Sequence, residues 1–294
     1  MDRLIFTALI AAFLGIILGP AIIPVLKDLK FGQNVRSDGP STHLRKAGPT
    51  MGGIIIIIAI IISTVIMNGR ISGVYSAAMI SMLGFGLIGM LDDSIKIIKR
   101  RSLGLRAYQK MIAQLVFALI LSYFAYNDPN IGSKLAVPFT GKVIDMGVWY
   151  MPFTVFVVLG TVNGVNLTDG LDGLASSVTM VVTLFFTFVC YGIGKDELAV
   201  FAAGTCGACL GFLSHNSYPA AVFMGDTGSL ALGGAIAALS VLSGLTLYLP
   251  LAGIIYVLEV LSDIIQVTSF KLTGKRVFKM SPIHHSMLLE VGLC

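Results

Sequence analysis

Long apolar runs recur along the whole chain, separated by short polar or glycine-rich connections. Each run has on the order of 20 residues, enough for a helix to cross a hydrocarbon layer about 30 Å thick. Nine spans are predicted on this pattern: Leu4–Leu26, Thr50–Met67, Val74–Leu91, Met111–Tyr126, Met151–Leu167, Leu171–Gly192, Leu198–His215, Ser229–Leu242 and Thr246–Phe270. The fifth and eighth are short and interrupted by glycine, so their ends are the least defined. The expected fold is all-α and polytopic, one integral membrane domain over residues 1–294, with no stretch long enough to fold as a separate soluble domain. The first span has the position of a signal peptide, but about 23 apolar residues without a clear small-residue cleavage site favour a retained helix. One connection breaks the helical pattern. Asn127–Tyr150 contains two β-prone runs around Thr140 and Gly141, which reads as a small hairpin.

Composition agrees with the pattern. The chain is 56% hydrophobic and 12% charged, against about 25% charged for a soluble domain. Its formal charge of +5 is informative through its distribution. Lys27, Lys30, Arg36, Arg45 and Lys46 follow the first span. Lys96, Lys99, Arg100, Arg101, Arg106 and Lys110 follow the third, and Lys271, Lys275, Arg276 and Lys279 follow the ninth. Fifteen of the 20 basic residues therefore share one side, the cytoplasmic one by the positive-inside rule. The N-terminus and the hairpin fall outside. A basic rim beside anionic headgroups accounts for the charge without nucleic acid as a partner.

Against this background the aspartates stand out. Asp92 and Asp93 end the third span, Asp169 and Asp172 lie between the fifth and sixth, and Asp226 opens the eighth. All five fall at the cytoplasmic boundary, where a carboxylate needs a partner, a metal or a chemical task. Each has an ordinary reading: Asp92 with Lys96 as a helix-end pair, Asp169 and Asp172 as turn formers, Asp226 as a helix cap. An adjacent Asp pair repels itself, however, and is poorly suited to a single salt bridge. Aspartate at a glycine-flanked helix N-terminus would repel the phosphate that such a terminus attracts, unless a cation lay between them. The combination points to Mg²⁺ bridging a diphosphate.

The C-terminal segment adds His284 and His285 beside basic residues. Neither Cys nor Glu stands at zinc-site spacing from them, so hydrogen bonds to phosphate are the better reading. Cys206 and Cys209 have CxxC spacing inside an apolar helix and are expected to be packing residues.

The segments HLRKAGPTMGG (His43–Gly53), GMLDDSIK (Gly89–Lys96), NGVNLTDGLDGLA (Asn163–Ala175), NSYPAAVFMGDTGSL (Asn216–Leu230) and VTSFKLTGKRVFKMSPIHH (Val267–His285) together resemble the bacterial phospho-MurNAc-pentapeptide translocases, the MraY family. They occur in family order and extend over nearly the whole chain. The wider superfamily of polyprenyl-phosphate N-acetylhexosamine-1-phosphate transferases shares the Asp pair and the DG-rich loop; GPTMGG and PIHH favour the narrower family. Two features depart from it. The family has a third histidine followed by Phe-Glu, where this chain has Ser286-Met287-Leu288, which puts that position in doubt. The family also has ten spans with both termini outside, and this chain stops at Cys294, where the tenth is expected to begin.

The resemblance implies transfer of phospho-MurNAc-pentapeptide from UDP-MurNAc-pentapeptide to undecaprenyl phosphate in the bacterial inner membrane. Lipid I and UMP would be the products, Mg²⁺ the cofactor and the homodimer the family assembly. It assigns Asp92, Asp93 and Lys96 to the carrier phosphate, with Asp92 as base, and Asp226 to the metal. Lys46, Thr50, Asn166, Asp169, Asp172, Asn216 and Phe223 would form the nucleotide site, Phe223 stacking on uracil, and His284 and His285 would contact phosphates. Two rivals remain open at this point. One is a sister transferase using UDP-N-acetylglucosamine. The other is a transporter with a cation site, for which Glu259 and Asp263, one turn apart within the ninth span, are the candidates. The Gly207–Gly211 segment could serve either internal packing or helix association between subunits.

Overall fold

The computed structural model describes residues 1–28, 48–69, 72–99 and 103–291. Its helices are α1 (Asp2–Asp28), α2 (Gly53–Asn68), α3 (Gly73–Ile98), α4 (Ala107–Asn127), α5 (Tyr150–Thr168), α6 (Leu174–Gly192), α7 (Asp196–Asn216), α8 (Gly225–Ser243), α9 (Ile254–Thr273) and α10 (Ile283–Val291). A short helical segment, Thr246–Ala252, precedes α9. Strands β1 (Lys134–Ala136) and β2 (Val143–Asp145) pair antiparallel, Leu135 opposite Ile144, as the hairpin reading expects.

Each of the nine apolar runs is helical, but they are not nine equal spans. Seven helices among the described residues are long and apolar enough to cross a membrane. The helix of the second run, α2, has 16 residues, because it begins at Gly53 rather than Thr50. The ninth run is broken at Gly253, where its two helical pieces bend by 82°. Pro250 lies inside the first piece, in the first turn of Leu249–Ala252, and Gly253 leaves the helical conformation with φ −106° and ψ 37°. The fifth and eighth runs, whose ends were least defined, are uninterrupted helices of 19 residues each.

Helix α8 is the axis of the bundle, with 94% of its most apolar stretch buried, against 22% for α4. Its sequence explains this. Seven of the eleven residues of LALGGAIAALS are glycine, alanine or serine, which lets neighbouring backbones approach where lipid gives no hydrophobic drive for association. Ser81 of α3 donates to the Gly234 carbonyl of α8 at 2.9 Å. Farther along the same crossing, a methyl group on Gly89 would fall 2.0 Å from the Asp226 carbonyl oxygen. Only glycine permits that approach.

The same device joins α1 to α7. A Cβ on Gly207 would lie 2.1 Å from Ala8 O, and one on Gly211 2.3 Å from Ala12 O. The Gly207–Gly211 segment is therefore internal packing. Cys206 and Cys209 on this helix are free thiols, as expected for packing residues.

The two ends of α8 are built differently. Its N-terminus meets the last turns of α3. Its C-terminus stops at Gly244, whose φ of 76° places it in the left-handed region suited to glycine. The Gly244 carbonyl accepts the Ala136 amide at 3.1 Å, and Lys195 Nζ donates to the Leu242 carbonyl at 2.8 Å. The hairpin thus sits at the end of the bundle opposite the α3–α8 aspartates.

Candidate active site

Asp92 and Asp93 are adjacent on α3, so their side chains leave the helix about 100° apart. Both are buried. Asp93 faces α8: its Oδ2 accepts the Thr227 amide at 2.9 Å and the Thr227 hydroxyl at 2.8 Å. It satisfies a helix N-terminus that has no side-chain cap of its own. Asp92 turns the other way. Its Oδ1 accepts the Leu105 amide at 2.7 Å, and its Oδ2 lies 2.6 Å from Lys96 Nζ. Gly104 closes over it, since a Cβ there would fall 2.4 Å from Asp92 Oδ1.

Asp226, on the first turn of α8, is where the charges meet. Its Oδ2 lies 3.0 Å from Lys96 Nζ and 2.9 Å from Lys110 Nζ. Its Oδ1 accepts from Asn166 Nδ2 at 2.9 Å, and Asn166 also donates to Ser229 Oγ at 2.8 Å. Lys110 Nζ reaches back to Asn166 Oδ1 at 3.4 Å. Helices α3, α4, α5 and α8 therefore each send a polar group to one point. One turn farther along α4 and α5, Gln114 and Asn163 are hydrogen-bonded, Asn163 Nδ2 donating to Gln114 Oε1 at 2.8 Å. This pair fixes the register that aims Lys110 and Asn166.

Oxygen atoms of Asp92, Asp93 and Asp226 lie within 4.8 Å of one another. An all-carboxylate donor set suits a hard divalent cation such as Mg²⁺ rather than zinc or copper. Among the described residues the buried Thr50 hydroxyl has no hydrogen-bond partner. It borders the same space: a Cβ on Gly225 would fall 2.6 Å from Thr50 Oγ1 and 2.7 Å from Asp93 Oδ2. A carboxylate cage with an unpartnered hydroxyl beside it fits a cation.

The DG-rich loop lies against this cluster. Asp169 caps α5, and burial, then the negative charges of Asp226 and Asp93, hold its carboxyl well above the usual carboxylate range. Asp172 Oδ2 accepts the Ala220 amide at 3.0 Å, while its buried Oδ1 has no partner among the described residues. Asn216 is a buried bracket. Its Oδ1 accepts from the Gly173 amide at 3.1 Å and the Ser176 hydroxyl at 3.2 Å, and its Nδ2 donates to the Val222 carbonyl at 3.0 Å. Phe223 joins two motifs that are far apart in sequence. Its amide donates to Pro49 O and its carbonyl accepts the Gly52 amide, both at 2.9 Å. Its ring lies over Gly48, 3.3 Å from where a Cβ would be. Lys46 lies outside the described residues.

The C-terminal strap returns along α9 to the same neighbourhood. Gln266 Oε1 accepts the Val277 and Phe278 amides at 3.0 and 2.9 Å, and its Nε2 donates to Phe278 O at 3.0 Å. Ser281 donates to Asp263 at 2.9 Å, and the Ile283 amide donates to Ser262 Oγ at 3.1 Å. His284 Nδ1 lies 3.0 Å from Glu259 Oε2. The other face of this ring meets the DG-rich loop, since a Cβ on Gly170 would fall 2.2 Å from His284 Nε2. His285 stacks at a tilt on His284, ring centres 4.2 Å apart. Glu259 and Asp263, the candidates for a transporter's cation site, thus hold the strap instead.

Sequence reasoning counts Lys110 only as a topological charge and misses Gln114 and Asn163. A signal for all three is present: Lys110 and Gln114 are four apart, Asn163 and Asn166 three apart, in otherwise apolar helices.

Comparison with known proteins agrees with this geometry. The family model described as glycosyl transferase family 4 matches residues 75–244. A phospho-N-acetylmuramoyl-pentapeptide-transferase of Clostridium kluyveri is 52% identical over 99% of this chain and 92% of its own length. The transferase of the same name from Clostridioides difficile is 54% identical, covering 97% of this chain and 89% of the relative. That of Clostridium perfringens is 51% identical, covering 97% and 90%.

Proposed function

Because the chain belongs to glycosyl transferase family 4 and, within it, to the phospho-N-acetylmuramoyl-pentapeptide-transferases, we propose that the aspartate cluster transfers phospho-MurNAc-pentapeptide from its UDP-linked donor to undecaprenyl phosphate. The observation that carries this reading is the convergence of Asp92, Asp93 and Asp226 with Lys96 and Lys110 at one end of a membrane helix bundle. A lipid-borne phosphate reaches such a site through the bilayer and a soluble nucleotide from the cytoplasm. The chain is a multi-pass membrane protein; the bacterial inner membrane, with the site on its cytoplasmic face, is the location proposed.

An oxygen of the carrier phosphate attacks the β-phosphorus of the donor. The bond from that phosphorus to the bridging oxygen breaks, and UMP leaves with the electron pair. The carrier is a phosphate monoester with a second pKa of about 6, so it is mostly dianionic at neutral pH and needs little help from a base. Positioning and charge cancellation then dominate. Lys96, held by Asp92, neutralises the incoming phosphate from α3, and Lys110 neutralises the donor side from α4. Asp92, Asp93 and Asp226 would hold Mg²⁺, which when bound supplies charge neutralisation at the diphosphate. Asn166, Asp169, Asp172, Thr50, Lys46 and Phe223 form the nucleotide side in this reading. Asn216 shapes it through the loops that it ties, and His284 and His285 reach the phosphates. The family's homodimer is retained as the proposed assembly.

The test is UMP release by the purified protein with undecaprenyl phosphate. UDP-MurNAc-pentapeptide is expected to support turnover and UDP-N-acetylglucosamine to fail, with EDTA stopping the reaction and Mg²⁺ restoring it. Turnover with UDP-N-acetylglucosamine alone would replace this reading by the sister transferase. Single-cysteine labelling in a cysteine-free background checks the orientation; labelling of the DDSIK, NLTDG, FMGDTGS or PIHH segment from outside would contradict it.

A further inference from the structure

The buried carboxylate of Glu259 is left without a purpose by the chemistry above. It sits on α9, a helix whose other faces are exposed apolar side chains, and only Tyr256, Glu259 and Ser262 of that helix are buried. A carboxylate in such a place is costly unless partnered. The group facing it is the His284 imidazole, whose Nδ1 lies 3.0 Å from Glu259 Oε2 as a close charge contact rather than an aligned hydrogen bond. Glu259, Ser262, Asp263 and Gln266 follow at spacings of three and four, so they lie on one face of α9. Ser262, Asp263 and Gln266 each take up a group of the strap that ends at His284. The strap is therefore fastened turn by turn, and the last fastening is to the ring itself.

We propose that Glu259 is a positioning residue for the transfer reaction, holding the His284 ring in one orientation against the DG-rich loop at Gly170. The inference rests on the reading of His284 as a phosphate contact. An imidazole has two chemically distinct nitrogens, and the partner of one sets which way the other is presented. With Nδ1 turned to Glu259, Nε2 is the nitrogen directed at Gly170, next to Asp169. The rest of the ladder resists sliding of the strap but cannot stop rotation of the ring. Among the described residues Glu259 is the charged group that faces Nδ1 and so distinguishes one ring nitrogen from the other.

The experiment compares Glu259→Gln, which keeps the side-chain volume, with His284→Ala and the double variant, all as full-length purified protein. Loss of an orienting partner typically costs tenfold or more in activity. Glu259→Gln is accordingly expected to lower kcat about tenfold while the KM for the UDP-linked donor stays within about twofold. The double variant should be no slower than His284→Ala alone, because Glu259 acts through that ring. Losses that multiply in the double variant would overturn the proposal. The ring is also read directly, by the ¹⁵N resonances of the His284 imidazole, which should shift in Glu259→Gln. Unshifted resonances overturn the proposal whatever the activity. Full activity of His284→Ala together with shifted resonances would instead remove the phosphate role of His284 and leave its orientation by Glu259 in place.

Discussion

The two ends of α8 show the same helix finished in opposite ways. At Gly244 the end is closed by backbone: the Gly244 carbonyl accepts the hairpin's Ala136 amide, Leu242 O accepts Lys195, and among the described residues no three carboxylates there come close enough to hold a metal ion. At Gly225 three carboxylates and two ammonium groups share one small space, and a fourth carboxyl, Asp169, is pressed against them. Stability alone does not gather like charges in a membrane-embedded bundle, where a single buried pair barely breaks even. The hairpin end is what the fold requires of a helix terminus; the aspartate end is what chemistry requires. Substitutions at the two ends should therefore separate activity from stability.

The sharpest contrast comes from Asp226→Asn. It removes the charge on which Lys96, Lys110 and Asn166 converge while keeping a side chain of equal size. Turnover is expected to fall by at least about a thousandfold, or about 4 kcal/mol of transition-state stabilisation. Folded, membrane-inserted protein should be recovered in normal yield. Mg²⁺-dependent turnover near the wild-type level would erase the distinction between the two ends.

Next in size are the neighbours Asp92 and Asp93. Asp93 accepts from Thr227 at the start of α8, and an asparagine oxygen can still accept there. Asp92 holds Lys96 and borders the Leu105 turn, where its charge is used. Asp92→Asn should thus cost about a hundredfold in turnover and Asp93→Asn about tenfold, both measurable as UMP release. Raising the pH should restore neither, because the carrier phosphate is already ionised. Equal losses, or full rescue of Asp92→Asn at high pH, would show that the two carboxylates do not divide the work.

The contrast also marks how far the sequence could be read. Apolar period and length reveal all nine helical runs, because each has to satisfy its own backbone in lipid. The break at Gly253 was not legible, since a glycine inside an apolar run resembles the continuous glycine-containing α8. The aspartates were legible as a group because charge is rare in this chain. Lys110 was not, because a lysine at a helix end also serves topology. Glu259 was visible as an anomaly, but its partner is 25 positions away and only folding of the strap identifies it. Local rules reach caps and turns; they do not reach side chains that meet from four helices.

At the hairpin end the expected effects are structural. Leu135 is the buried residue of β1, so Leu135→Ala should cost roughly 2–5 kcal/mol of local stability. A lowered thermal midpoint would register this. Turnover at low temperature should match wild type, because nothing of the hairpin reaches the aspartate cluster. A kcat loss comparable with that of Asp93→Asn would mean that the two ends are coupled through α8.

The smallest effect belongs to Asp145, a carboxylate fully exposed on β2. Its carboxyl is held below the usual aspartate range by the Ser133 hydroxyl and then by the Gly147 amide, 2.9 Å away. A depressed folded-state pKa means that the ionised form is the one that the hairpin favours. The contribution is therefore complete above the ordinary aspartate pKa of about 3.9 and is lost as the pH falls through the lower folded value. Solvent screens an exposed group, so the contribution is small in any case. Asp145→Asn should leave turnover unchanged, and its slight lowering of the thermal midpoint should be constant from neutral pH down to about pH 5. Below that the difference from wild type should shrink, since the wild-type carboxyl is then being protonated too. A difference that grows in acid would give Asp145 the opposite sign, that of a carboxylate the fold burdens, as Asp169 is burdened at the other end.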